Sequence, residues 1–189
     1  MSERLPLLHP DDLTADQRAL YDKLTTGERA GGRRAFPLTD SEGRLQGPFN
    51  GMLLSPGVGD ALQQVGAALR FGGSLTARQR ELATLTVAAA ESAEYEWAAH
   101  AHLASQAGLT QSQITDIQND VPLDLPDEPE RLVLTASREL VKTGDLTDAT
   151  YATARDVLGM RALYEVITLV GYYKLLAVQM QVFGVTTPK

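Results

Sequence analysis

Helix starts recur in this chain in one chemical form: Thr14 with Gln17, Thr76 with Gln79, and Thr110 with Gln113. Each is a capping box, in which the hydroxyl accepts from a backbone N–H in the first helical turn while the amide reaches back to the N–H of the cap. Two donors that a helix start otherwise leaves unpaired are thereby satisfied. At Thr110 the flanking Leu109 and Ile114 add a hydrophobic staple, and Leu146 and Tyr151 repeat that pattern around Thr147. Between the starts, apolar residues recur at helical spacing, as in Leu132, Ala136 and Leu140, or Leu163, Ile167 and Val170. No stretch alternates as a half-buried strand does. The pattern predicts an all-α chain with about eight helices, near 14–25, 57–70, 76–91, 94–107, 111–119, 127–143, 147–158 and 160–182.

At 189 residues the chain has the length of one domain able to bury a sizeable helical core. The longest connection, over 26–56, divides it into an N-terminal arm, 1–46, with one helix, and a helical domain, 47–189. The connection opens glycine-rich, which predicts mobility, and closes apolar, which predicts packing; Phe49, Met52 and Leu53 serve there as a pocket wall or as a plain core anchor. A net charge of −7 and the absence of a basic cluster argue against a nucleic-acid partner. The densest basic spot, Arg29, Arg33 and Arg34 beside Glu28, reads as a solvated loop, with a carboxylate clamp as the minority reading. The first residues, MSERLPLLHPDDLT, lack the long apolar run of a secretory signal, so a cytoplasmic protein is expected. The apolar segment 163–185 is interrupted by Glu165, Lys174, Gln179 and Gln181 and reads as a core helix rather than a membrane span. With no cysteine at all, thiol and disulfide chemistry are excluded, and any catalysis falls to carboxylates and histidine.

One constellation has the right chemistry. Glu96 and His100 are four residues apart on a helix, hence on one face and within mutual reach. A carboxylate beside an imidazole favours its charged form and burial opposes it, which holds a proton-transfer group near neutrality. Tyr95 and Trp97 flank the pair, and Ala93 leaves space one turn below. A short connection at Ser92 and Ala93 folds the preceding helix back, bringing Glu81 toward His100. The same i,i+4 spacing is also common for surface pairs worth a few tenths of a kcal/mol. Arg80 is a candidate anchor for an anionic substrate or a partner in a surface ion pair; Tyr172 and Tyr173 line a pocket or fill the core; His102, out of phase with His100, is exposed. Arg-Glu-Leu occurs at 80–82 and 138–140, by chance or by duplication, with no second histidine to match. The paired Glu-x-x-His pattern of helical carboxylate metal proteins is missing, so no metal is expected.

Gly47-Pro48-Phe49, then Arg80-Glu81, Glu96-x-x-x-His100, Ala104 and Gly108 resemble the carboxymuconolactone decarboxylase-like superfamily, which includes the alkylhydroperoxidase D proteins. The resemblance is clear over 47–118 and looser beyond. It implies an all-helical bundle of the alkylhydroperoxidase D type that assembles into homo-oligomeric rings, trimers or hexamers. It also implies a proton relay through Glu81 and His100. The superfamily's thiol branch carries two cysteines where this chain has Ala93 and Glu96, which excludes that branch's peroxidase activity. Glu96 looks like the carboxylate of the decarboxylase branch, whose chemistry is proton transfer without metal or organic cofactor. The expectation is therefore a cofactor-independent acid/base enzyme, a decarboxylase, other lyase or isomerase, acting on a small acidic lactone-like or conjugated ring compound. Glu81, Glu96 and His100 are its expected catalytic residues, with Phe49, Trp97, Arg80 and Tyr172 around the substrate. A helical oligomeric scaffold that keeps the fold without turnover is the competing class.

Overall fold

The computed structural model describes residues 4–26 and 35–188; the Gly-rich stretch with Arg29, Arg33 and Arg34 lies outside the described residues. Among the described residues there are helices and no strand, only an isolated antiparallel bridge between Thr39 and Leu45. We number the helices α1 (Ala15–Thr26), α2 (Pro48–Met52), α3 (Pro56–Ala67), α4 (Ala77–Ala90), α5 (Glu94–Gln106), α6 (Gln111–Gln118), α7 (Glu128–Thr143) and α8 (Asp148–Phe183). The three capping boxes form as expected, Thr14 and Gln17 exchanging bonds at 3.0 and 3.4 Å and the Thr76 and Thr110 boxes closing reciprocally. Helix α2 is a correction to the expected long loop: five residues are too few for a periodic signal, and Pro48 at the first helical position is its only local mark.

Helix α8 is kinked at the expected break: Gly159 has φ +80° and ψ 159°, so two rods, 148–158 and 160–183, meet there through a backbone conformation that glycine tolerates. By length and composition α8 is long and apolar enough to cross a membrane. Within this fold, Leu163, Val166, Leu169, Val170, Tyr172, Leu176 and Met180 are buried in the core. Its outward side carries Met160, Tyr164, Ile167, Leu175, Val178 and Val182, all exposed, with Tyr164 at 70 %. Steps of three and four residues separate these positions, with Gly171 filling the gap at mid-helix, so they form one apolar stripe. Ile167, grouped by spacing with Leu163 and Val170, belongs to this outer stripe.

Helix α4 is the axis of the molecule, packed by α5, α6, α7 and α8, and every residue from Leu82 to Ala88 is buried. A helix apolar on all sides has no amphipathic rhythm to read, and its two interior threonines are accommodated differently from its leucines. Thr86, for one, returns its hydroxyl to the Leu82 carbonyl at 2.8 Å. Two hydrophobic clusters flank α4. One joins Ala83 and Val87 to Val133, Ala136, Val166 and Leu169; the other joins Leu82 and Leu85 to Ala104, Leu109, Ile114, Ile117 and Leu134. Each fully buried leucine contributes about 1.5–3 kcal/mol. The buried Glu130 of α7 is held by Arg78 of α4 at 2.6 and 2.9 Å, and Arg78 also caps the Gly108 carbonyl at the end of α5.

The N-terminal arm shares a third cluster with the helical domain: Leu20, Leu24, Leu38 and Leu45 pack with Met52, Leu53, Tyr172, Leu176 and Met180. Asn50, 2 % exposed, fixes the arm by accepting from the Leu8 N–H at 3.0 Å and donating to the Pro6 carbonyl at 3.1 Å. A buried amide with its partners 42 and 44 positions away leaves no trace in local sequence.

Candidate active site

The connection between α4 and α5 is a tight reversal. Ser92 takes φ +52°, and the Ala93 N–H reaches back to the Ala88 carbonyl at 2.9 Å, the long bond of a Schellman turn. Helices α4 and α5 therefore run antiparallel, and Glu81, near the start of one, meets His100, at the middle of the other. His100 Nδ1–H donates to Glu81 Oε2 at 2.7 Å, with both side chains nearly nine-tenths buried. The bond commits Nδ1 and fixes the ring's orientation, which leaves Nε2 as the nitrogen for proton exchange with a ligand. The ring is held from another side by the edge of Tyr173, centroids 5.0 Å apart and planes at 83°, and Tyr173 is held in turn by Tyr172 at 5.4 Å and 82°. Burial, and then the negative charge of Glu81, push the Tyr173 phenol well above its usual range, so it stays protonated.

Two adjoining cavities meet at this histidine. The first, about 170 Å³, is lined by Arg70, Arg80, Glu81, Thr84, His100, Gln106 and Tyr173 among others. The second, about 110 Å³, is walled by Phe36, Phe49, Phe71, Tyr95, Tyr172, Tyr173 and Leu176, with Glu96 and His100 in the wall. Gly66, Arg70, His100, Leu103, Tyr172 and Tyr173 belong to both.

Glu96 does not hydrogen-bond His100, although the helical spacing allowed it. It is 3 % exposed, and neither carboxylate oxygen has a hydrogen-bond partner among the described residues. Burial, and secondarily the charge of Glu91, push this carboxyl up to about 8, so at neutral pH it is chiefly the neutral acid. The site therefore holds two unlike carboxyls: Glu81 bonded to an imidazole, and Glu96 without a hydrogen-bond partner in a largely aromatic wall.

Of the other expected residues, Phe49 and Tyr172 line the second cavity, and Tyr172 lines the first as well. Arg80 lines the first cavity, its guanidinium donating to the Leu75 carbonyl at 2.6 Å rather than to a carboxylate. Trp97 is a correction: it lines neither cavity and packs with Leu82, Leu85, Ile114 and Leu134 in the cluster under α6. One position on from Glu96, it is rotated by about 100° to another face of the helix. His102 is exposed, as expected, against Gln106 at 2.8 Å. The second Arg-Glu-Leu is architectural: Glu139 accepts from the Thr147 N–H at 2.8 Å and the Thr150 hydroxyl at 2.6 Å. Arg70 was missed. It stands in a π-helical turn, Ala68–Gly72, that extends α3, and the available signal was a cation set between Leu69 and Phe71 in an apolar run. Among the described residues no three His, Asp or Glu side chains converge as a metal-ligand set.

Gly47 positions the wall. It has φ +60°, and a Cβ there falls 2.3 Å from Cζ of Tyr95. Gly47→Ala is expected to destabilise the fold by about 2–4 kcal/mol through backbone strain and the clash together. In a Tyr95→Ala background only the strain remains, and the cost is expected to fall to about 1–2 kcal/mol. Urea unfolding of the four proteins checks both numbers.

Comparison with known proteins bears on this geometry. Residues 56–120, the span from α3 through α6 that carries Glu81, Glu96 and His100, match the model of the carboxymuconolactone decarboxylase family. The whole chain is similar to two solved structures. One is the alkylhydroperoxidase AhpD core of an uncharacterized peroxidase-related protein from Ralstonia eutropha JMP134, with TM-score 0.73, 17 % identity, and 98 % of this chain and 92 % of that chain covered. The other is an uncharacterized peroxidase-related protein from Silicibacter sp. TM1040, with TM-score 0.72, 14 % identity and the same coverage of 98 % and 92 %. At such identities the likeness establishes the fold, the expected alkylhydroperoxidase D-like helical bundle. No curated protein matches the chain.

Proposed function

We propose that this cysteine-free chain of the carboxymuconolactone decarboxylase-like superfamily is a cofactor-independent acid/base enzyme, a decarboxylase, other lyase or isomerase. Its substrate is a small acidic lactone-like or conjugated ring compound. The observation that carries the reading is the His100–Glu81 bond of 2.7 Å, with His100 in the wall common to two cavities. A histidine oriented by a carboxylate and opening on ligand-sized space is the minimum equipment for general acid–base catalysis. Thiol peroxidase chemistry is not open to a chain without cysteine.

In the decarboxylating form, the substrate's carboxylate sits in the first cavity toward Arg70 and Arg80. The bond between ring carbon and carboxylate breaks, carbon dioxide leaves, and the electron pair passes into the conjugated carbonyl. Protonated His100, stabilised by Glu81, then returns a proton to that carbon, and solvent reprotonates the imidazole. In the isomerising form the same nitrogen removes a proton from one carbon and returns it to another. Acid–base catalysis of this type supplies about 10²- to 10⁴-fold, and exclusion of water by the aromatic wall adds to it. The enzyme is proposed to act in the cytoplasm as a homo-oligomeric ring, trimer or hexamer, and the apolar stripe on α8 supports association of copies.

The test is a panel of carboxylated butenolides, β-keto acids and conjugated cyclic acids, followed by carbon dioxide release and by ultraviolet absorbance. Turnover of at least one compound, lost in a His100 variant, is expected. Intact, assembled protein inert toward the whole panel overturns the proposal in favour of the scaffold class.

A further inference from the structure

Glu96 has no task in the proton relay just described, since His100 gives its Nδ1 to Glu81. Glu96 is 3 % exposed, and its carboxyl, in a wall it shares with Phe49, Tyr95, Tyr172, Arg70 and His100, has no hydrogen-bond partner on either oxygen among the described residues. Burying such a group without a partner is unfavourable, and a ligand that bonds it recovers the loss. We infer that Glu96 presents a carboxylic O–H to the carbonyl oxygen of a ligand ring in the second cavity, which makes that cavity a subsite for the uncharged carbonyl end of a cyclic enone or lactone. The inference rests on the proposed function for its substrate class and names which end of the substrate lies where.

Three features point to this ligand chemistry. The first is size: an apolar cavity of about 150 Å³ is enough to hold benzene; the second cavity, about 110 Å³, falls short of that alone, but together with the adjoining first, about 170 Å³, it has room for one ring whose carbonyl end lies in the second. The second is charge. The titratable groups around Glu96 are Arg70 from the π-helical turn, Tyr95 and His100 on its own helix, Tyr172 and Tyr173 on α8, and Glu91 at the end of α4. Arg70 shares the cavity without bonding either Glu96 oxygen, while Glu91 and burial both favour the neutral acid. A neutral acid donates, and in an aromatic cavity it selects an uncharged acceptor over an ammonium group. The third is arrangement: Arg80 lines the first cavity only and Arg70 lines both, so a carboxylated ring whose acid lies between the two arginines turns its carbonyl end toward Glu96.

Ligand-observed NMR titration of the full chain with 2-cyclohexen-1-one, toluene and cyclohexylamine tests this without reference to turnover. The enone is expected to bind about tenfold tighter than toluene at pH 6. With the carboxyl near 8, it is expected to weaken about tenfold by pH 9 as the competent acid is depleted, while toluene is unchanged. Glu96→Gln, which still donates through its amide, is expected to keep the enone preference to within about threefold and to lose its pH dependence. Glu96→Leu is expected to bind toluene, showing the cavity intact, and to lose the preference for the enone. Enone binding that is flat with pH in the native protein, preference surviving in Glu96→Leu, or cyclohexylamine as the tightest probe each overturns the inference. Enone binding with this profile in a protein that turns over no acid keeps the subsite and removes the catalytic reading; turnover without the profile does the reverse.

Discussion

Turnover by His100→Asn is expected to fall by about 10²- to 10⁴-fold, the full range that one positioned acid–base group contributes. Asparagine keeps a donor toward Glu81 Oε2, so the bond at the α4–α5 seam and the fold are expected to persist; far-ultraviolet circular dichroism and the unfolding midpoint check this. What is removed is the ring nitrogen that exchanges the proton. Glu81→Gln makes a smaller change. The amide still reaches Nδ1, but it no longer sets a negative charge beside the ring to stabilise the charge that develops there during proton transfer, and a fall of about tenfold or more is expected. A purely structural role for the pair predicts the opposite pattern, with stability lost in both variants and the activity of whatever folds unchanged.

Wild-type stability is expected to fall by roughly 3–5 kcal/mol between pH 5 and pH 9 because of Glu96 alone, and Glu96→Gln is expected to abolish that loss. The folded carboxyl lies at about 8 against an ordinary value of 4.5. Below the lower value both states hold the proton and nothing is lost. Between the two, the unfolded chain releases its proton while the folded one retains it, so rising pH favours unfolding. Above the upper value the folded state must also ionise, inside an apolar wall, and the loss levels off. Glu96 is the third residue of α5, where the helix dipole favours an anion by about 0.3–1 kcal/mol; this opposes the effect of burial without reversing it. Carboxylates held low by partners, such as Asp60 at about 2 beside Lys23 and Gln63, lose their contribution only in acid, outside this window. Urea unfolding of both proteins at pH 5, 7 and 9 gives the difference directly, and parallel curves with pH would remove Glu96 as the cause.

Local chemistry carried most of the fold. Thr14, Thr76 and Thr110 with their glutamines mark helix starts that the structure reproduces, and Gly159 interrupts α8 where periodicity placed a boundary. The remainder depends on contacts between distant segments. Helix α2 is too short to be periodic, and Asn50 finds partners more than forty positions away. At the site, the 81-to-100 spacing and the reversal at Ser92 were enough to bring Glu81 to His100, since antiparallel helices fix which turns meet. The partner of His100 within its own helix was not legible in the same way. Glu96 and His100 share a face, but a neighbouring helix competes for the imidazole, and rotamers decide between them. Trp97 shows the converse limit: adjacency in sequence to Glu96 put it on the side of the helix that faces α6.

Helix α8 supplies Leu169, Tyr172 and Tyr173 to the chambers around His100, whereas Glu81 and His100 meet across the seam of α4 and α5. The proton-handling pair and much of the space around it thus come from separate elements. A change of side chain at Tyr172 or Leu176 reshapes the room a ligand enters and leaves the bond between Glu81 and His100 in place. In a fold built this way, the choice of ligand and the proton chemistry can be altered one at a time.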